Sequence, residues 1–150
     1  MTTIKVESFS LDHTQVQAPH VRQAEVFQTP GGDVITKYDL RFTQPNQDIM
    51  PTATVHALEH LLAGYLREEL PGVIDLSPMG CRTGFYLILL GQMEEGEIAA
   101  ALIRSLEKVL GAASVPARNA IQCGNYRDIS LFGAKEYARQ VLQGLKPKYA

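Results

Sequence analysis

The stretch Val55-His56-Ala57-Leu58-Glu59-His60-Leu61-Leu62 decides how this chain is interpreted. On an α-helix, His56 and His60 lie about 40° apart around the axis, and Glu59 lies about 60° to the other side, so the three share one face. The opposite face is apolar and consists of Val55, Leu58, Leu61, Leu62, Tyr65 and Leu66. The stretch therefore predicts a helix that buries its apolar face and presents two imidazoles and a carboxylate on the other.

Two imidazoles one helical turn apart can bind one transition metal, and a neighbouring carboxylate that is not a ligand can move protons. The pattern His-x-x-Glu-His reverses the common His-Glu-x-x-His zinc motif. An amphipathic helix with two exposed histidines would show the same spacing. However, His56 and His60 are two of only 4 histidines in the chain. We therefore interpret the stretch as part of a metal site.

Length and composition predict a single globular domain over residues 1–150. A chain of 150 residues can bury about two-thirds of its unfolded surface. Hydrophobic residues make up 45% of the sequence and charged residues 20%, which is ordinary for a folded domain. The net charge of -2 gives no basic surface, so neither nucleic acid nor an anionic membrane is expected as a partner.

The sequence also favours a cytoplasmic location. The longest apolar run, 85–90, is too short to span a membrane, and the first residues show no apolar signal segment. Cys81 and Cys123 are the only 2 cysteines. In a reducing compartment, a metal-binding or catalytic role is expected for them before a disulfide.

Periodicity along the rest of the chain predicts an α+β fold. Alternation and turn residues indicate strands at 21–28, 34–43, 73–76 and 85–90, the last of them central because it is apolar on both faces. Helical periodicity indicates helices at 52–70, 94–110 and 130–145, and residues 1–12 are interpreted as an extended arm. We expect a largely antiparallel sheet packed against these few helices, with the metal-motif helix lining the site.

The second predicted strand carries a row of charges. Its alternation places Lys37, Asp39 and Arg41 on one face, and Tyr38, Leu40 and Phe42 on the other. Composition alone favours a charged face that is exposed to water.

A catalytic metal site needs a third protein ligand besides the two histidines. The candidates are the two cysteines and several distant carboxylates. Cys123 precedes Gly124, where the backbone can bend toward the helix, and Cys81 lies in a loop between Gly80 and Gly84. The residues alone leave this choice open.

Several motifs together resemble the S-ribosylhomocysteine lyase family, whose members make the precursor of the quorum-sensing signal autoinducer-2. The resemblance covers nearly the whole chain, and its most specific part is Ser77-Pro78-Met79-Gly80-Cys81 combined with His-x-x-Glu-His. The matching segments are 6–9 with 11–13, 37–42, 44–46, 56–62, 75–84 and 123–128.

The resemblance implies a role for each motif residue. The metal ligands would be His56, His60 and Cys123, and Cys81 and Glu59 would transfer protons. The residues that would hold substrate are Ser8, His13, Lys37, Arg41 and Asp75, with the Arg41 fork suited to the homocysteine carboxylate. The family implies Fe²⁺ as the native metal, with Zn²⁺ or Co²⁺ able to substitute, and a homodimer whose sites lie at the subunit interface.

The implied reaction fits these residue types. A carbonyl migrates along the ribose by successive proton transfers, and the sulfur then leaves by β-elimination, giving homocysteine and 4,5-dihydroxy-2,3-pentanedione. A Lewis acid and two proton-transfer groups are what such chemistry needs. The same reaction recycles a by-product of methylation in methionine metabolism.

Two other functions are compatible with the metal motif. A small His-x-x-Glu-His metallopeptidase would use Glu59 as a base and a carboxylate as the third ligand. A metal-storing or metal-sensing module would saturate the metal with protein ligands and leave no open position.

Overall fold

Helices and strands follow one another along residues 4–149, the part of the chain that the computed structural model describes. In chain order they are α1 (Glu7–Ser10), β1 (His20–Gln28), β2 (Val34–Arg41), α2 (Thr52–Glu69), β3 (Val73–Pro78), β4 (Gly84–Leu90), α3 (Glu95–Leu110) and α4 (Leu131–Tyr149). The predicted strands and long helices are all present, with ends that differ by a few residues.

The four strands form one antiparallel sheet in the order β1-β2-β4-β3. β4 lies inside the sheet, as its apolar sequence predicts. Alternation along the strands gives the sheet one apolar face, formed by Val21, Leu40, Tyr38, Phe85, Leu87, Leu89 and Leu76. These side chains share one buried cluster with α2, α3 and α4. The α+β prediction is confirmed, while the single domain over residues 1–150 stays a prediction.

The metal-motif helix forms because its apolar residues recur at helical spacing and pack into this cluster. Leu58, Leu62 and Leu66 are fully buried. The helix ends before Pro71-Gly72, where Gly72 has φ of 76° and a Cβ would lie 2.6 Å from the Leu90 carbonyl oxygen. Only glycine fits this turn, so the chain can reverse directly into β3.

The opposite face of the sheet is polar and, contrary to the expectation from composition, partly buried. Asp39 is 0% exposed and Arg41 is 1% exposed. In register across the four strands lie Arg22, Asp39, Tyr86 and Ser77. The charged row was expected in water because a sequence does not show that ion pairing between neighbouring strands compensates for its burial.

The extended arm predicted at the N-terminus is wrong for residues 7–10, whereas Val6 and Leu11 on either side have extended backbone. Residues 1–3 lie outside the described residues, and Glu7–Ser10 form the single turn α1. None of the four α1 residues is buried. A segment this short carries too little periodicity to be recognised as helix in the sequence.

Within residues 4–149, no helix combines the length and the apolar character needed to cross a membrane.

Candidate active site

A cluster of three possible metal ligands connects α2 to the loop between α3 and α4. His56 and His60 project from α2, and Cys123 comes from the loop. One ligand atom from each residue lies within 4.8 Å of the others, and the Cys123 Sγ is 3.4 Å from the His56 Nε2. The structure thus brings together the two histidines and one of the cysteines that the sequence left as candidates.

Main-chain carbonyls orient both imidazoles. The His56 Nδ1 is 3.0 Å from the Asp128 carbonyl oxygen, and the His60 Nδ1 is 2.8 Å from the Pro116 carbonyl oxygen. A carbonyl can only accept, so each Nδ1 carries the proton and each Nε2 presents a lone pair. Such a bond from the other ring nitrogen is usual for metal-binding histidines, so this donor set fits a divalent transition metal.

Backbone hydrogen bonds hold the thiol of Cys123 in place. Its amide N–H donates to the Asn119 carbonyl at 3.0 Å, and its Sγ accepts the Asn125 N–H at 3.4 Å. The Asn119 side chain closes the turn by accepting the N–H groups of Ile121 and Gln122. A thiolate with an N–H donor is a suitable third ligand in a site that keeps a fourth position open.

Glu59 lies beside this cluster without belonging to it. Its Oε2 is 3.7 Å from the His60 Nε2, and its side chain is 34% exposed. Glu59 and His56 line a cavity of about 350 Å³, together with Thr52, Val55, Pro78, Met79, Gly80, Arg82 and Asp128. The carboxylate can therefore reach a molecule in this cavity while three other groups hold a metal.

Cys81 lies on a second cavity. This cavity, of about 280 Å³, is lined by Ser8, Phe9, His13, Arg41, Met79, Gly80, Cys81 and Tyr86. The Cys81 Sγ is 3.0 Å from the Thr83 Oγ1 and 3.9 Å from the Arg41 Nη1. Met79 and Gly80 are the only lining residues that this cavity shares with the cavity beside the histidines. Within one chain, the thiol and the metal cluster therefore face separate spaces.

Three of the five predicted substrate residues, Ser8, His13 and Arg41, line the Cys81 cavity. Lys37 and Asp75 line neither of the two cavities. The Lys37 Nζ lies 4.0 Å from the centre of the Tyr86 ring, and the Asp75 carboxylate accepts the hydroxyl of Ser77.

The guanidinium of Arg41 is largely engaged by the protein. Its Nη2 donates to Asp39 Oδ2 at 2.8 Å, and its Nη1 donates to Thr83 Oγ1 at 2.9 Å. Gly84 makes room beside it, because a Cβ there would lie 2.2 Å from the Leu40 carbonyl oxygen. The fork expected to hold a carboxylate is thus turned toward Asp39 and the Cys81 loop.

Sequence reasoning missed Tyr86. It lies on β4 across from Asp39 and lines the Cys81 cavity. Burial raises the pKa of its phenol, and a hydrogen bond with Ser8 opposes that shift. The available signal was that Tyr86 is the one residue with a polar tip in the apolar run 85–90.

Fold and site together define a class of protein: an α+β protein with a candidate His₂Cys metal site, a carboxylate beside it and a separate exposed thiol. Its sequence matches the family described as S-ribosylhomocysteinase (LuxS) over residues 6–149, and the chain belongs to that family.

Curated relatives extend this result over most of the chain. A Clostridioides difficile protein named S-ribosylhomocysteine lyase is 61% identical over 138 residues, covering 92% of this chain and 91% of the relative. Proteins of the same name from Enterococcus faecalis and Thermus thermophilus are each 56% identical, over 142 and 140 residues. The match to the Enterococcus faecalis protein covers 94% of this chain and 93% of that relative. The match to the Thermus thermophilus protein covers 93% of this chain and 90% of that relative. The family does not favour the metallopeptidase alternative.

Proposed function

We propose that this chain is an S-ribosylhomocysteine lyase that releases homocysteine and 4,5-dihydroxy-2,3-pentanedione, the precursor of autoinducer-2. Membership of the family carries the proposal, supported by the His56, His60 and Cys123 cluster. A thiol in the third place, where the peptidase alternative expects a carboxylate, supports the lyase against that alternative.

We propose that His56, His60 and Cys123 hold one divalent metal. A metal there supplies Lewis-acid polarisation of the sugar oxygens, which makes the adjacent C–H groups acidic. We propose Fe²⁺ as the native ion, with Zn²⁺ or Co²⁺ able to substitute, because two imidazoles and a thiolate suit all three.

Glu59 and Cys81 are the two proposed proton-transfer groups. Carbonyl migration along the ribose requires removing a proton from one carbon and returning it to the neighbouring one, and the final β-elimination requires one more abstraction. Glu59 is a carboxylate in the cavity beside the histidines, and Cys81 is an exposed thiol on the second cavity. In the dimer proposed below, Glu59 of one chain and Cys81 of its partner would act on different carbons of one substrate.

Ser8, His13, Lys37, Arg41 and Asp75 are the proposed substrate-binding residues. Ser8, His13 and Arg41 support this by lining the same cavity as Cys81. Because the Nη1 and Nη2 of Arg41 already donate to the protein, its role would include fixing the surroundings of Cys81. Lys37 does not line this cavity, but it contacts the ring of Tyr86, which does.

We propose that the protein is a homodimer with its sites at the subunit interface. In one chain, the cavity beside the histidines and the Cys81 cavity face separate spaces. In a dimer, the Cys81 cavity of one chain can lie against the histidine cavity of its partner. Phe9, at the Cys81 cavity, is 83% exposed, and Ile49, on the adjoining side of Cys81, is 50% exposed. Apolar side chains left in water at a polar site are typical of a surface that a partner covers.

A cytoplasmic location is proposed with this function. Both cysteines are unpaired thiols, which is the usual state in a reducing compartment.

Release of free thiol from S-ribosylhomocysteine tests the proposal. We expect the anaerobically purified, iron-loaded protein to release thiol from this substrate and none from S-adenosylhomocysteine. Cys81→Ala and Glu59→Gln should each lower turnover by at least about 100-fold, as expected for loss of a group that transfers a proton. Normal turnover in either variant would refute its role, and no release by the metal-replete wild type would refute the reaction.

A further inference from the structure

A chain of ion pairs runs from the N-terminal turn α1 to the Cys81 loop across the polar face of the sheet. Glu7 pairs with Arg22 on β1, Arg22 pairs with Asp39 on β2, and Asp39 pairs with Arg41. The two arginines meet on one oxygen: Asp39 Oδ2 accepts Arg22 Nε at 3.2 Å, Arg22 Nη2 at 3.0 Å and Arg41 Nη2 at 2.8 Å.

This series of ion pairs is balanced in charge, and its end at Asp39 and Arg41 is more deeply buried than its end at Glu7 and Arg22. The four groups carry two positive and two negative charges. The exposed fraction of the side chains falls from 22% at Glu7 and 24% at Arg22 to 0% at Asp39 and 1% at Arg41. Buried charges need such pairing, and removing one member leaves its partner uncompensated. The hydrogen bonds to Glu7 and Asp39 outweigh the effect of burial and raise the pKa of Arg22.

Each end of the chain of pairs reaches the same cavity. At one end, Arg41 donates to Thr83 and approaches the Cys81 Sγ. At the other end, Glu7 is followed by Ser8 and Phe9, which line the same cavity as Cys81. Since α1 has no buried residue and no capping side chain, polar contacts hold it to the sheet: the ion pair of Glu7 with Arg22 and the hydrogen bond of Ser8 with Tyr86. The ion pair is the stronger of these, because both of its groups are charged.

We propose that Arg22 and Asp39 are positioning residues of the reaction: Asp39 orients Arg41 beside Cys81, and Arg22 uses the same carboxylate to hold α1 over the cavity. The two walls of the cavity are thereby fixed relative to each other by one buried oxygen. The expected changes in KM and kcat rest on the proposed lyase function. The expected release of α1 rests on the ion pairs alone.

Loss of the ion pair between Glu7 and Arg22, the outer pair of the series, should weaken substrate binding without slowing the chemical step. Arg22→Met and Glu7→Gln each release α1 while Asp39 keeps Arg41, so we expect each to raise KM about tenfold and to change kcat less than about threefold. Tenfold corresponds to the loss of about one hydrogen bond between charged groups. The double variant should raise KM no more than Arg22→Met alone does, because removing Arg22 already breaks its pair with Glu7.

Loss of the central carboxylate should also affect the chemical step. Asp39→Asn keeps the volume but removes the anchor of Arg41, so we expect kcat to fall at least about tenfold. If this buried variant does not fold, the variants of the partly exposed Glu7 and Arg22 still test the pair between them.

The experiment combines steady-state kinetics on the metal-loaded dimer with the rate of chymotrypsin cleavage after Phe9. Both are measured at a protein concentration where gel filtration shows the wild type and every variant to be equally dimeric, so that faster cleavage reports release of α1 and not loss of the partner chain. The control is the exposed pair Glu136 and Arg139 on α4, as Glu136→Gln and Arg139→Met, which should change neither quantity. Faster cleavage and raised KM in both Glu7→Gln and Arg22→Met support the proposal. Unchanged cleavage or unchanged KM in these variants overturns it, as does wild-type kcat in Asp39→Asn. If the wild type does not turn over S-ribosylhomocysteine, the proposed function fails, and the cleavage rates still decide whether the pair holds α1.

Discussion

Main-chain carbonyls set the ring orientation of the two histidines of the metal cluster. Each Nδ1 donates to a carbonyl of the loop that also carries Cys123, at 3.0 Å for His56 and 2.8 Å for His60. A ring held in one tautomer loses little conformational freedom when Nε2 binds an ion. Affinity at this site should therefore depend chiefly on whether all three ligands are present.

Removing Cys123 should abolish tight metal binding. We expect Cys123→Ala to lower affinity by at least about 100-fold, because two imidazoles alone form an incomplete site. Bound metal per chain, measured after gel filtration, checks this. Cys81→Ala is the matched control and should keep a full complement; a metal-replete Cys123→Ala protein would contradict the ligand set.

His20 should make the fold less stable in mild acid. Burial lowers the pKa of its imidazole below the ordinary 6.5, against the opposing charge of Asp39, and its Nε2 has no partner among the described residues. The unfolded chain then binds more protons than the native chain at pH values just below 6.5. The free energy of unfolding that the neutral His20 ring contributes is fully present above about pH 6.5 and declines as the pH falls below that value.

Urea unfolding of wild type and His20→Gln at pH 7.5 and 5.5 measures the effect. The wild type should lose more unfolding free energy between the two pH values than the variant does. Equal losses would show that His20 does not contribute, and a smaller loss in the wild type would reverse the sign.

The start of α4 packs closely on the first turn of α2, just ahead of His56. A Cβ on Gly133 would lie 2.1 Å from the Thr54 Oγ1, and the Ser130 N–H donates to the Ala53 carbonyl at 3.0 Å. The helix that carries the histidines is thus fixed at its N-terminus by a contact that only glycine allows.

Alanine substitutions at two helical glycines should have opposite effects. Gly133→Ala should destabilise the protein by about 1–3 kcal/mol, the range for overpacking. Gly64→Ala, at an exposed position of α2 with nothing within 4 Å of the new Cβ, should stabilise it by about 0.5–1 kcal/mol. Urea unfolding curves compare the two, and a stabilising Gly133→Ala would contradict the close contact.

Elements with strong periodicity were predictable, and those defined by long-range contacts were not. The α2 pattern predicts both its buried leucines and its histidine pair, because a helix places residues by local geometry alone. The burial of Asp39 depends on Arg22, 17 positions away. No local pattern encodes such a pairing. The choice of Cys123 over Cys81 beside the histidines likewise depends on how a loop without regular structure crosses α2.

At the scale of the whole molecule, the proposed dimer makes a quantitative prediction. If each site takes Cys81 from one chain and Glu59 from its partner, then Cys81→Ala mixed with Glu59→Gln restores one complete site in each heterodimer. Random exchange makes half of the dimers mixed, and each mixed dimer has one complete site out of two. We therefore expect about a quarter of wild-type activity.

Thiol release after unfolding and refolding the two variants together checks this. Each variant refolded alone is the control and should stay inactive. An inactive mixture with confirmed heterodimers would show that both groups act within one chain.

The bonds from the histidine rings to the backbone of the loop have a consequence for how the sequence can vary. Pro116 and Asp128 each hold an imidazole through a carbonyl oxygen, which every amino acid possesses. Replacing either side chain leaves the acceptor in place as long as the loop keeps its path. Inserting or deleting a residue between 111 and 130 moves it. Apart from positions whose side chains are themselves used, such as Cys123 and Asn119, this segment can therefore vary in composition but not in length.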